Sequence, residues 1–203
     1  MCATQLTRLV QDASDASRVP IVWFAQGVLD AMSFEAEQWY PRETGGVLLG
    51  FSDESSREIV VRTMVGPGPE ARHGRWTFVP DHRFHEDQVS QIYARSGRTW
   101  TYLGDWHSHP DGPLRMSIAD RRTLARIARF GAARVPRPLM AILAGRPGQV
   151  NEFAQGSRDS AEGLVLAQHG WRLAAWRVAA TPTNWQSQLG IVDVDSCTLR
   201  EFG

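Results

Sequence analysis

No lysine occurs anywhere in the 203 residues, so all 22 basic side chains are arginine. Such a chain cannot itself be modified on a lysine amine. The many alanines that accompany the arginines fit a plainer cause, a background codon preference. Cysteine is almost as scarce. Cys2 and Cys197 are too few for a disulfide framework, and a reducing, cytoplasmic setting is expected. Net charge is also missing, because 22 acidic residues balance the arginines. That removes the gross electrostatic attraction through which nucleic acids or anionic membranes are usually bound, so neither is expected as a partner. No apolar run approaches the roughly 20 residues that cross a bilayer. The opening MCATQLTRLVQDASDAS has no apolar core of the kind a signal peptide carries. Repeats and low-complexity tracts are absent as well.

What remains has the composition of an ordinary globular protein, 42% hydrophobic and 22% charged. Strands are predicted over 21–24, 44–51, 58–65, 99–106, 138–145 and 171–178, with a further candidate in RWTFVP at 75–80. Apolar residues at helical spacing (Val28, Leu29, Met32, Ala36, Trp39) predict a helix from Gln26 to about Tyr40, stopped by Pro41. Asp81 caps a second predicted helix that runs to about Arg95 and ends at Gly97. Ser117 begins a third, through about Phe130. The glycines and prolines of 66–74 and 110–116 predict loops. Strands mixed with helices of this length give one α/β sandwich around a central mixed sheet, over residues 20–180. Residues 1–19 are expected as an N-terminal extension, and 181–203 as a C-terminal tail packed on the domain or extending from it.

The chemistry concentrates in His107-Ser108-His109-Pro110, followed by Ser117-Ile118-Ala119-Asp120. Imidazole and carboxylate are natural zinc ligands. Two histidines one residue apart on a strand end project from the same side and can face one ion. Asp120 lies in the first turn of the next helix, which the intervening loop must fold back toward them. Three protein ligands leave a fourth position for water, the pattern of a catalytic zinc. A carboxylate must still move protons, and Glu43, just before Gly45-Gly46, is the upstream candidate. Ser117 can direct its hydroxyl at a developing oxyanion. Each residue also has a duller role. Ser117-x-x-Asp120 is a helix capping box, and Glu43 alone is an ordinary surface carboxylate.

Taken together these residues resemble the JAB/MPN (JAMM) metallopeptidases. Glu43 stands in ETGGVLLG, similar to the family's glutamate-led strand, and 107–110 match its HSHP block. Seven positions after His109, from Pro110 to Met116, then lead to Ser117 and Asp120 of its S-x-x-D. The resemblance implies a cytidine-deaminase-like α/β sandwich and one zinc held by His107, His109 and Asp120. It implies Glu43 as general acid/base and Ser117 supporting the tetrahedral intermediate. GPGPEARHGRWTFVPDHRF and GRTWTYLGDWHSHPDGP are closer to bacterial members encoded beside E1-like and E2-like proteins, in antiphage operons of the Bil or CBASS type, with a slight leaning to Bil. The implied substrate is a ubiquitin-like protein or its conjugates, cut after an extended C-terminal tail. Rival expectations are a peptidase trimming sulfur-carrier proteins and a non-catalytic MPN scaffold.

Around this set, Trp106 is either a wall of the substrate cleft or ordinary core. Asp105 either orients a ligand imidazole or points away. His82 and His85 are expected in solvent, and Arg72, Arg75 and Arg83 as solvated or facing an acidic partner.

Overall fold

Pro20 and the apolar run behind it open the first strand of a large mixed sheet. The computed structural model describes residues 19–53, 58–148, 164–166, 170–179 and 193–203. Most of the expected N-terminal extension and residues 181–192 of the expected tail lie outside these. So does Cys2.

In chain order the elements are β1 (Ile21–Ala25), α1 (Gln26–Trp39), β2 (Gly45–Asp53), β3 (Glu58–Val65), β4 (Arg72–His73), β5 (Phe78–Val79), α2 (His82–Arg95), β6 (Thr101–Pro110), α3 (Ile118–Arg129), a 3-10 turn (Gly131–Ala133), β7 (Leu139–Gly145), β8 (Leu164–Leu166), β9 (Trp171–Val178), β10 (Val194–Ser196) and β11 (Thr198–Phe202). The sheet order is β10-β9-β7-β6-β2-β3-β1-β11, with β8 paired to β9. β1 runs parallel to β3 and β11, β6 runs parallel to β7, and the remaining pairs are antiparallel. β4 and β5 form a separate two-stranded hairpin.

Strand periodicity divides the side chains between two faces. On one face Val22, Phe24, Leu48, Ile59, Val61, Leu139, Ala141 and Leu143 pack with Val28, Leu29, Met32 and Ala36 of α1. On the other, Val47, Leu49 and Val65 meet Phe84, Val89 and Ile92 of α2, while Met140 and Ile142 meet Leu124 and Ala125 of α3. β7 is therefore covered on both sides and reads as an unbroken apolar run, LMAILA. Each such fully buried aliphatic side chain contributes roughly 1.5–3 kcal/mol. α1 thus covers one face, and α2 and α3 lie on the other.

Helix starts follow the capping chemistry. Asp81 accepts a hydrogen bond from Phe84 N at 3.0 Å, and Gly97 closes α2 with φ of +66°. The structure adds β4 inside the expected 66–74 loop, and it narrows the 75–80 strand to Phe78–Val79. Of the stretch read as a tail, residues 194–202 form β10 and β11 of the central sheet. No helix among the described residues is long and apolar enough to cross a membrane.

Candidate metal centre

Along β6 the side chains alternate. Trp106, Ser108 and Pro110 are buried, while Asp105, His107 and His109 are half-buried on the opposite face. The two imidazoles thus emerge together at the C-terminal end of the strand, with Nε2 atoms 3.0 Å apart. His109 donates from Nδ1 to the Pro113 carbonyl at 3.0 Å. That bond fixes the tautomer and leaves the Nε2 lone pair facing its neighbour. Burial, reinforced by the His107 charge, holds His109 below the ordinary histidine range.

Asp120 approaches from the first turn of α3. One carboxylate oxygen lies 3.3 Å from His107 Nε2 and the other 3.8 Å from His109 Nε2. The same carboxylate accepts from Ser117 N at 2.6 Å, and Ser117 Oγ accepts from Asp120 N at 3.2 Å. The capping box and the converging cluster therefore coexist, with the cap holding the carboxylate where the histidines can meet it. Burial alone would raise Asp120. The bonds and charge from His107 and the bonds from Ser117 outweigh it and hold the carboxyl below the usual range.

His107, His109 and Asp120 form the metal-capable group among the described residues. The two Nε2 atoms stand 3.0 Å apart, Asp120 Oδ1 stands 3.3 Å from His107 and Oδ2 stands 3.8 Å from His109. Ligands placed tetrahedrally at about 2.0–2.1 Å from zinc stand roughly 3.3–3.4 Å from one another. Two imidazole nitrogens and a carboxylate that faces both, with one donor atom from each residue within 4.8 Å of the others, are a donor set that fits a zinc ion.

Glu43 reaches the same cleft from the neighbouring strand. Gly45 pairs with His107 across β2 and β6. A Cβ at Gly45 would press on the Trp106 carbonyl and stand 2.9 Å from the His107 Cβ, so only glycine admits this approach. One step back, Ser108 N donates to Thr44 O at 2.7 Å and Thr44 N to Ser108 Oγ at 3.0 Å. Glu43 then turns into the cleft with His107, His109, Ser117 and Asp120. Burial pushes its carboxyl up to about 7, opposed by His107 and aided by Asp120.

The cleft encloses about 1760 Å³ between the β4–β5 hairpin, α2 and α3. Trp76, Val79, Tyr93, Ile118 and Phe130 line it while remaining 40–70% exposed. The sequence singles out none of the five as a cleft residue, and helical spacing reads Tyr93 as inward, because nothing in the sequence separates an exposed apolar residue from a core one. Asp111 was missed too. Tyr40 donates to it at 2.9 Å and Arg146 at 2.8 Å, tying the loop after β6 to the ends of α1 and β7.

Trp106 is only 1% exposed and belongs to the core beneath α1, on the opposite face of β6 from His107. Its place follows from strand alternation, and the side chain packs in that core while the residue also borders the cleft. Asp105 shares the His107 face. Burial raises its carboxyl, and Tyr102 donates to it at 2.6 Å. His85, expected in solvent, is 6% exposed with Nε2 2.8 Å from Gly66 O. His82, Arg72, Arg75 and Arg83 are exposed.

The chain is similar to known proteins. Residues 25–156 match the family described as prokaryotic homologs of the JAB domain. The chain is 37% identical over 128 residues to "Probable metalloprotease y4qB" of Sinorhizobium fredii, covering 63% of this chain and 77% of that one. It is 34% identical over 106 residues to a "CD-NTase/cGAS isopeptidase" of Enterobacter hormaechei, covering 52% of this chain and 57% of the relative. In fold it is similar to the solution structure of protein DSY2949 from Desulfitobacterium hafniense, with a TM-score of 0.55 at 18% identity, over 89% of this chain and 92% of the other. With the family match spanning well over half its length, the chain belongs to the prokaryotic homologs of the JAB domain.

Proposed function

We propose that this protein is a zinc peptidase or isopeptidase that hydrolyses the bond following the C-terminal tail of a ubiquitin-like protein. The observation that carries this reading is the convergence of His107, His109 and Asp120 in an open cleft, with the Glu43 carboxyl beside them. A scaffold without catalysis would have no use for that fourth group.

His107, His109 and Asp120 would hold one zinc. When bound, the ion supplies Lewis acidity, polarising the scissile carbonyl and lowering the pKa of a coordinated water to about 7. Glu43 takes the proton of the attacking water and hands it to the departing amine nitrogen. A carbon–oxygen bond forms, the carbon–nitrogen bond breaks, and a carboxylate and an amine leave. A carboxyl poised near neutrality suits both halves of that transfer. Ser117 Oγ already accepts from Asp120 N, which leaves its own proton for the developing oxyanion. Such a donor contributes about 2.7–4 kcal/mol in a well-studied case. The substrate tail, with a small residue before the scissile bond, lies extended and adds backbone hydrogen bonds at a strand edge. The β4–β5 hairpin beside the cleft offers one.

Three relatives bear the name CD-NTase/cGAS isopeptidase. Their names favour a conjugated nucleotidyltransferase as the target, in a CBASS-type operon with E1-like and E2-like proteins, over the Bil-type setting. Scarce cysteine agrees with a cytoplasmic enzyme.

The test uses the full chain, a fluorogenic Gly-Gly peptide amide and a linear ubiquitin-like fusion. One zinc per chain, cleavage abolished by chelator and restored by zinc, and a Glu43→Gln variant that is inactive yet fully metallated are expected. Cleavage indifferent to chelator, or loss of zinc with Glu43→Gln, would falsify the assignment.

A further inference from the structure

Glu43 precedes the first residue of β2, so the central sheet does not hold its peptide groups. Both go to the hairpin instead. Glu43 N donates to Gly74 O at 2.8 Å, and His73 Nδ1 donates to Glu43 O at 3.0 Å. The His73 ring lies flat on Trp39, with centroids 3.4 Å apart and planes inclined by 5°. Phe78 of the paired strand sits 5.4 Å away, tilted. Trp39 is tied in turn, its Nε1 donating to Glu35 Oε1 at 2.8 Å within α1. Burial keeps His73 below the ordinary histidine range, so the neutral ring prevails. With a carbonyl as acceptor, the proton sits on Nδ1, and the buried Nε2 has no hydrogen-bond partner among the described residues. Only one polar contact, the bond to Glu43, explains why a histidine is stacked there.

We propose that His73 is a positioning residue for the reaction: clamped between α1 and the hairpin, it fixes the Glu43 peptide and so the direction in which the carboxyl points. This inference rests on the reading of Glu43 as the proton-transfer group. The same hairpin carries Trp76, which is 70% exposed on the cleft wall. Its first strand and its turn therefore divide the labour. Trp76 meets substrate, whereas His73 never does and acts through Glu43. Displacing a reacting group by an ångström costs as much as about 10²-fold in rate, which sets the scale of the effect.

The decisive pair of variants is His73→Phe, which keeps the stacking and loses the donor, and His73→Asn, whose amide nitrogen takes the place of Nδ1. With the Gly-Gly peptide amide, His73→Phe should lower kcat by about 10–100-fold while KM, zinc content and Tm stay near those of the parent. His73→Asn should recover most of that kcat, and Trp76→Ala should instead raise KM. Parental kcat in His73→Phe overturns the proposal, as does equal impairment of Phe and Asn variants. If His73→Phe does not fold, the Asn variant decides alone: near-parental kcat supports positioning by the hydrogen bond, and a kcat lowered as in Glu43→Gln overturns it. Glu43→Gln in the same assay separates the two claims. An active Glu43→Gln removes the reading on which the inference rests. An inactive one beside a fully active His73→Phe removes the inference alone.

Discussion

Asp120 is fixed by the helix it begins, whereas Glu43 is fixed by a hairpin some thirty residues further along the chain. On the first side, Ser117 and Asp120 exchange hydrogen bonds within a single turn, and His107 and His109 share one strand. Local geometry prescribes the whole trio. On the second side, the carboxyl depends on Gly74 O and His73 Nδ1, and on Trp39 stacked beneath. A metal-capable trio can thus be built into neighbouring residues, while aiming the Glu43 carboxyl takes contacts assembled only in the folded state. The two sides meet at Gly45, where β2 presses against β6.

That seam is the most sensitive place to break the comparison. Gly45→Val should destabilise the protein by about 3 kcal/mol or more, since its side chain would overlap the Trp106 carbonyl and crowd His107. Chemical denaturation measures it, and a variant as stable as the parent would mean the strands can separate freely. Next in size, Asp120→Ala should weaken zinc binding by more than the roughly 10–100-fold that follows loss of an outer-sphere partner, read by competition with a chromophoric chelator. Ser117→Ala sharpens the local side. It removes a cap, costing about 1 kcal/mol in stability, yet leaves one zinc per chain because all three donors remain.

The smallest effect belongs to the Glu43 side. In zinc-free protein the carboxyl is raised from 4.5 to about 7. Because the folded value lies above the unfolded one, the carboxyl adds stability below pH 4.5 that is lost as pH rises through 7. Partial exposure discounts the term to the order of 1 kcal/mol. Denaturation of chelator-treated parent and Glu43→Gln across pH 4–8 should show the parent losing stability relative to the variant. Parallel curves would mean Glu43 is not buried as described.

The same contrast explains how much was legible beforehand. His107, His109, Ser117 and Asp120 lie within fourteen residues, so strand alternation, a capping rule and one short loop are enough to bring them together. α1, α2 and α3 were visible through periodicity and caps, and β7 through its apolar run. β4, β10 and β11 were not, because strands of two to five residues exist only through their pairing partners. The stacking of His73 on Trp39 carried no signal, the two being 34 positions apart. The tie between Trp106 as cleft wall and Trp106 as core was resolved by the face of β6 on which His107 stands.

β11 lies parallel to β1, from Ile21 opposite Thr198 to Ala25 opposite Phe202. Those five residues sheathe a strand whose backbone donors and acceptors would otherwise face outward. A chain shortened before Thr198 would present Ile21–Ala25 as a bare edge, open to pairing with another molecule. The cost of that deletion would appear as self-association, several strands away from the His107, His109 and Asp120 cluster.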